Sequence, residues 1–207
     1  MFKKLFIYSC GIIICFCNSF VLHAQTKNKT LKTHDWSVLG SYGYSSYYHF
    51  DWPNSRTPSG RLAVAKKIYK RFKSDLGLEL GIQQNGVAHY SESNINPGRA
   101  FTTYPMVDAL ATLQTPFFMS DRLFSNVKAG IAYTNWRAYQ NGVDQGNQQG
   151  LAAEVQAGIG YIMNDWFNLS ILYQGLLRTS ILGGNHTALT NNLPAQDGVL
   201  ISLGMSI

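Results

Sequence analysis

Cysteine is confined to the start of the chain: Cys10, Cys15 and Cys17 are the only three in 207 residues. All three fall in a stretch that reads as an export signal. The exported chain would then hold no thiol, which excludes disulfides, thiolate metal sites and cysteine nucleophiles from it. Charged residues are also scarce, at 14%, while hydrophobic residues make up 45%, a balance that excludes a disordered chain. Beyond the leader there is no apolar run long enough for a transmembrane helix, and no stretch repeats its apolar residues at helical spacing. Glycine is abundant, at 19 residues, and aromatic residues reach 13%. Together these favour many short strands and turns over helices.

The leader has three parts. "MFKK" supplies positive charge, "LFIYSCGIIICFCNSFVL" an apolar stretch, and "LHA" before Gln25 a cleavage site with Leu22 at −3 and Ala24 at −1. Residues 1–24 are therefore expected to be a signal peptide and residues 25–207 a single domain. Losing Lys3 and Lys4 lowers the formal net charge from +6 to +4. That mild excess, on an exported chain, argues against a nucleic-acid partner.

Alternation with a period of two runs along the rest of the chain. In "LAAEVQAGIGYIM", Leu151, Ala153, Val155, Ala157, Ile159, Tyr161 and Met163 share one face, and Glu154, Gln156, Gly158 and Gly160 lie on the other. "FNLSILYQGLLRT" sets Phe167, Leu169, Ile171, Tyr173 and Leu177 against Asn168, Ser170, Gln174 and Arg178. "DLGLELGIQ" sets Leu76, Leu78, Leu80 and Ile82 against Asp75, Gly77, Glu79, Gly81 and Gln83. The C-terminal segment from Val199 to Ile207 alternates in the same way. Weaker alternation marks strands from Trp36, Arg61, Met106 and Leu123, which makes eight. Short connections, "KRFKS", "FMSD" and "NDW", take turns with longer polar stretches at 47–60, 85–105, 137–150 and 180–198. An up-and-down barrel has this pattern.

The polar face decides what surrounds such a barrel. A water-soluble barrel fills its interior with the apolar face and coats its exterior with Lys, Glu and Thr. Here the polar face is mostly Gly, Ala, Ser and Gln with isolated charges of both signs, which suits a crowded lumen and leaves the apolar face for lipid. Aromatic residues gather at strand ends, with Phe117, Phe118, Trp166 and Phe167 beside short turns and Tyr133, Trp136 and Tyr173 toward the long connections. This is the arrangement of two interfacial girdles.

The export signal, the eight strands, and the segments "ALATLQTPFFMSDRLFSNVKAGIAYTN" and "EVQAGIGYIMNDWFNLSILYQ" resemble the small outer-membrane barrels of the OmpA-like transmembrane-domain class. The resemblance implies an all-β, eight-stranded antiparallel up-and-down transmembrane β-barrel in a bacterial outer membrane, monomeric and without a cofactor. It also implies outer-membrane lipid and lipopolysaccharide as surroundings, and acid–base pairs inside the barrel. One departure is the last residue, Ile207, where such barrels usually end on an aromatic one.

Five charged residues are the candidates for that interior: Glu79, Lys128, Glu154 and Arg178 on the inferred lumen face, with Asp108 joining them. A lipid-facing arginine near the midplane would cost about 2 to 4 kcal/mol, which favours the inward placement independently. With "NDW" as a three-residue turn, Glu154 stands opposite Leu176 and diagonal to Arg178, a cationic partner within reach. The chemistry of this set is that of a plug, with a narrow pore as the second reading. An enzymatic alternative rests on "AHYSES", where His89 and Ser91 stand two apart and Glu92 follows, the elements of a serine hydrolase acting on lipid A. Lipid A deacylases of that kind carry the pair late in the chain on the barrel wall, whereas here it lies in a long connection, so a non-enzymatic protein is expected. "KKIYKRFK" at 66–73 suggests contact with anionic headgroups or simple solvation. His34, His49 and His186 show no metal-ligand spacing. The expected function therefore lies in the long connections, as adhesion to a host surface or an envelope ligand, and in envelope integrity.

Overall fold

In the computed structural model, residues 35–49, 52–71, 74–86, 88–90, 99–117, 120–140, 143–178 and 195–207 are described. The expected signal peptide lies outside them. The described elements are ten strands: β1 (Trp36–His49), β2 (Trp52–Arg71), β3 (Ser74–Asn85), β4 (Ala88–Tyr90), β5 (Arg99–Thr103), β6 (Met106–Phe117), β7 (Ser120–Gln140), β8 (Val143–Ile162), β9 (Phe167–Arg178) and β10 (Ala195–Ser206). Eight of them form a closed antiparallel ring in the order β1–β2–β3–β6–β7–β8–β9–β10, with β10 returning to β1. Closure leaves no free edge around the ring, so every wall strand finds its backbone partners inside the protein.

The alternation sets the two faces. Leu76, Leu78, Leu80 and Ile82 of β3 point outward and are exposed, as are Leu169, Ile171 and Tyr173 of β9 and Val199, Ile201 and Leu203 of β10. Glu79 and Gln83 of β3, Gln174 of β9 and Ser202 of β10 are buried inside. Register fixes this arrangement, because a slip by one residue would turn every leucine of a strand into the lumen. The "NDW" turn holds it at the β8–β9 hairpin, where the Asn164 carboxamide oxygen accepts from the N–H groups of Trp166 and Phe167, at 2.9 and 2.8 Å. The Met163 N–H donates to the Phe167 carbonyl at 2.9 Å, and Glu154 falls opposite Leu176.

Two of the stretches expected to be long polar connections are built differently. β1 and β2 continue as a paired ribbon to His49 opposite Trp52, and β7 and β8 to Gln140 opposite Val143. The sequences of these extensions keep no apolar–polar alternation, so no such pattern marks them as strand. Pro58 is tolerated in β2 because the β2–β3 ladder ends at Ser59 opposite Asn85, and the missing N–H costs only one bond on a side where the Pro58 carbonyl still accepts the Gly86 N–H at 2.8 Å. The 85–105 connection also contains structure, since β5 adds to the free side of the β7 extension and β4 pairs with β5. At the tip of the β7–β8 ribbon the Arg137 guanidinium pairs with Asp144, whose other oxygen accepts the Gly146 N–H at 2.8 Å while Gly146 takes φ 86°. The arginine, then that N–H, hold the Asp144 carboxyl below the usual carboxylate range. The clamp therefore persists at neutral pH and is lost only as the pH falls through that lowered value.

Close strand contact makes Gly158 one of several glycines that an alanine could not replace freely. A Cβ on Gly158 would run into the backbone of Ile171 and Leu172 on β9, whereas one on Gly175 would meet open space. Gly158→Ala should cost about 1 to 3 kcal/mol through forced backbone movement. Gly175→Ala should stay within about 0.5 kcal/mol of the parent. Urea unfolding from lipid vesicles, followed by gel mobility, measures both. Equal behaviour of the two variants would contradict the wall spacing at β8–β9.

Candidate functional site: a polar lumen

Among the described residues, the lumen carries two cations and three carboxylates that are almost fully buried: Arg61, Lys128, Glu79, Asp108 and Glu154. Four of them form one cluster. The Arg61 guanidinium on β2 forks onto Asp108 of β6, with Nε donating to Oδ2 at 2.9 Å and Nη2 to Oδ1 at 2.5 Å. Its Nη1 lies 2.6 Å from Glu79 Oε1 on β3. Lys128 Nζ of β7 donates to both oxygens of Glu79, at 2.9 and 2.8 Å. Gly81 makes this geometry possible. It stands opposite Asp108 on the inner wall, and a side chain there would collide with the Arg61–Asp108 fork. Two positive and two negative charges balance within the cluster, and the bidentate fork is the strong geometry for a buried pair.

A second group is made of amides. Gln83 on β3 and Gln174 on β9 exchange hydrogen bonds, Gln83 Nε2 to Gln174 Oε1 at 3.1 Å and Gln174 Nε2 to Gln83 Oε1 at 2.8 Å. In the ring these two strands are four positions apart out of eight, so the pair spans the lumen from one wall to the wall opposite. Gln83 also donates to Ser59 and Asn85, both at 2.9 Å, which ties the amides to β2 and to the upper part of β3. Beyond them Met106, Ala132, Ala152 and Leu176 close into an apolar cluster. Toward the short-turn end the Phe124 ring is buried over Gly160, whose missing side chain leaves the space it fills.

Glu154 belongs to the amide group. One carboxylate oxygen accepts from Gln156 at 2.6 Å and from Gln174 at 2.7 Å, while Oε2 has no hydrogen-bond partner and neither has Gln156 Oε1. Arg178, the cation placed diagonal to it by the sequence, has its backbone opposite Ala152, and its side chain lies outside the described residues. Among the described residues, the contacts on Glu154 are thus amides, and the lumen carries one more carboxylate than cations. Glu154→Gln should therefore leave the barrel as stable as before or raise its stability by about 1 to 2 kcal/mol, by removing the excess charge and giving Gln156 Oε1 a donor. Vesicle unfolding titrations decide this. A loss of about 3 kcal/mol or more, partly recovered when Arg178→Leu is added, would instead place a cation on Glu154.

Of the residues named from the sequence, Glu79, Asp108, Lys128 and Glu154 thus sit together inside the ring. Arg61, which joins Glu79 to Asp108, was not among them. Its signal was present, since Leu62 and Val64 on the outer face put Arg61 on the inner one, but it stands where alternation begins and reads as a rim residue. The alternation also put Gln83, Gln156 and Gln174 on this face, without revealing that they meet across it. His89 lies on β4 opposite Ala100, outside the ring, and Ser91 and Glu92 fall outside the described residues. Among the described residues, no group of His, Cys, Asp and Glu is arranged to hold a metal ion.

No family model and no curated protein matches this sequence. Solved structures do. The attachment invasion locus protein Ail of Yersinia pestis superposes with a TM-score of 0.54, covering 84% of this chain and 98% of Ail at 10% identity. Neisserial surface protein A superposes with a TM-score of 0.53, covering 83% of this chain and 97% of that one, again at 10% identity. Ail in complex with the heparin analogue sucrose octasulfate gives 0.52 at 12% identity, covering 84% and 98%. The chain has the fold of the small eight-stranded outer-membrane β-barrels.

Proposed function

We propose that this protein is a non-enzymatic, monomeric barrel of a bacterial outer membrane, delivered by the segment at 1–24, whose lumen is a rigid plug and whose activity lies in the surface it raises above the lipid. The observation that carries the reading is the Gln83–Gln174 pair, because hydrogen bonds between opposite walls leave no free bore at that level. The balanced Arg61–Asp108–Glu79–Lys128 cluster supports it, since satisfied polar networks rigidify the structure around them. At the other end, β7, β8 and β5 form a raised sheet with β4 beside it, a shape suited to meeting another surface. Ail is named for attachment and invasion. A surface-contact role in adhesion or envelope integrity is carried to this chain as part of the proposal.

Planar-bilayer recording tests the plug. The refolded protein should show no unitary current steps. Steps of reproducible size from the unaltered chain would favour a narrow pore and overturn the plug. The surface role is tested on whole cells by replacing residues 138–148 with a short glycine-containing turn. Adhesion to host-matrix coatings should fall while the heat-modifiable gel shift is retained, and unchanged adhesion would remove this ribbon from the contact. Release of fatty acid from lipopolysaccharide by the purified barrel would overturn the non-enzymatic reading.

A further inference from the structure

The outer wall of β1, β2 and β3 at the short-turn end carries positive charge inside an apolar patch. Lys66 points outward, with Trp36 as its ladder partner on β1 and Leu78 on β3. Its Nζ lies 4.9 Å from the centre of the Trp36 ring. Around it Val38, Val64, Leu76 and Leu78 are exposed and apolar. Below it the β2–β3 ladder shifts register between Lys67 and Tyr69, a bulge that leaves both Ile68 and Tyr69 exposed and brings Lys70 opposite Asp75.

Lys66, Lys67 and Lys70 share this rim with Asp35 and Asp75. Asp75 is taken by Lys67 at 3.0 Å. Among the described residues no carboxylate forms an ion pair with Lys66 or Lys70, and both lysines are exposed. The level on the wall is fixed by the chain ends: the Ile207 N–H donates to the Trp36 carbonyl at 2.9 Å, and the Ser206 N–H to that of Trp166 at 2.7 Å. Trp36, Tyr69, Trp166 and Phe167 therefore mark one rim of the apolar belt. Aromatic rings at such a rim sit at headgroup depth.

We propose that this rim is a binding site for an anionic phospholipid, whose phosphate is held by Lys66 and Lys70 beside Trp36 while its acyl chains lie on Val64, Leu76 and Leu78. The proposal rests on the reading of the apolar exterior as lipid-facing. The occupant follows from complementarity: the apolar wall suits an acyl chain, and the two lysines at its edge, which form no ion pair among the described residues, favour an anion on the same molecule. Lys66 reaches along Trp36 toward the rim, as a lysine near an interface does. A basic side chain at a membrane surface favours anionic lipid by about 1 kcal/mol, which corresponds to roughly fivefold enrichment per lysine.

The full barrel with Trp36 as its sole tryptophan (Trp52→Phe, Trp136→Phe, Trp166→Phe) is refolded into phosphatidylcholine vesicles. A small, equal fraction of lipid brominated near the headgroup is added as either phosphatidylglycerol or phosphatidylcholine. With two lysines the factors multiply, so brominated phosphatidylglycerol should quench Trp36 as strongly as an about 25-fold larger fraction of brominated phosphatidylcholine. The preference should fall at high salt and vanish with Lys66→Gln and Lys70→Gln together. Equal quenching by the two lipids, or a preference that survives the double substitution, would overturn the site. Quenching by neither lipid would overturn the lipid-facing exterior itself. If the tryptophan replacements prevent refolding, native mass spectrometry of the unaltered chain from mixed micelles replaces them: phosphatidylglycerol adducts should be retained and should disappear with the lysine substitutions, and their persistence would reject the site.

Discussion

Arg61→Leu should cost the barrel about 3 to 5 kcal/mol, the largest loss expected from a single lumen substitution. The guanidinium holds both oxygens of Asp108 and one of Glu79, and all three side chains are out of contact with solvent. Leucine would leave Asp108 without an ion-pair partner among the described residues and Glu79 with Lys128 alone. Arg61→Lys should recover only part of the loss, because an ammonium cannot reproduce the fork. Arg61→Leu combined with Asp108→Leu should be considerably less harmful than the two separate losses added together, since removing a buried pair whole avoids leaving a bare charge. Urea titration of vesicle-refolded protein gives all four values. Strict additivity would show that the two residues are not coupled.

Leu80→Arg should cost about 2 to 4 kcal/mol in a bilayer, the depth-dependent penalty of a cation on the lipid face. Leu80 lies well inside the outward row of β3, between Val64 on β2 and Ala109 on β6, and is 66% exposed. In a barrel surrounded by water the same substitution would be close to neutral, because an exposed leucine contributes little there. A stability in vesicles equal to that of the parent would therefore reject the membrane reading of the exterior. The substitution separates this question from lumen packing, since it leaves Glu79 and Gly81 on their own face.

The two predictions concern opposite faces of the same strands, and they differ in how visible their basis is in the sequence. Alternation in β3, β8, β9 and β10 assigns Leu80, Ile159, Ile171 and Ile201 to one face and Glu79, Gln156, Gln174 and Ser202 to the other, because side chains on a strand alternate regardless of what packs against them. The composition of the second face, small and sparsely charged, then separates a lumen from a water-facing coat. Eight strands, short turns at one end and the "NDW" register that puts Glu154 opposite Leu176 follow from that reasoning, and they are the strands and register of the closed ring. The same signal fails above the belt. The ribbons ending at His49–Trp52 and Gln140–Val143, and the addition of β5 to β7, lie where the sequence keeps no apolar–polar alternation, so backbone pairing alone defines them.

The local pattern by itself determined the fold class, the faces of β3, β8, β9 and β10 and the lipid-facing exterior, because alternation along a strand does not depend on which strand lies beside it. Only closure of the ring decided which lumen residues meet. Arg61 finds Asp108 across 47 residues of chain, Lys128 finds Glu79 across 49, and Gln174 finds Gln83 across 91. Those partnerships depend on strand order, on the stagger between neighbouring strands and on the space that Gly81 leaves open. These are properties of the closed barrel rather than of any one segment: the same inward-facing residues with a different stagger would make different pairs.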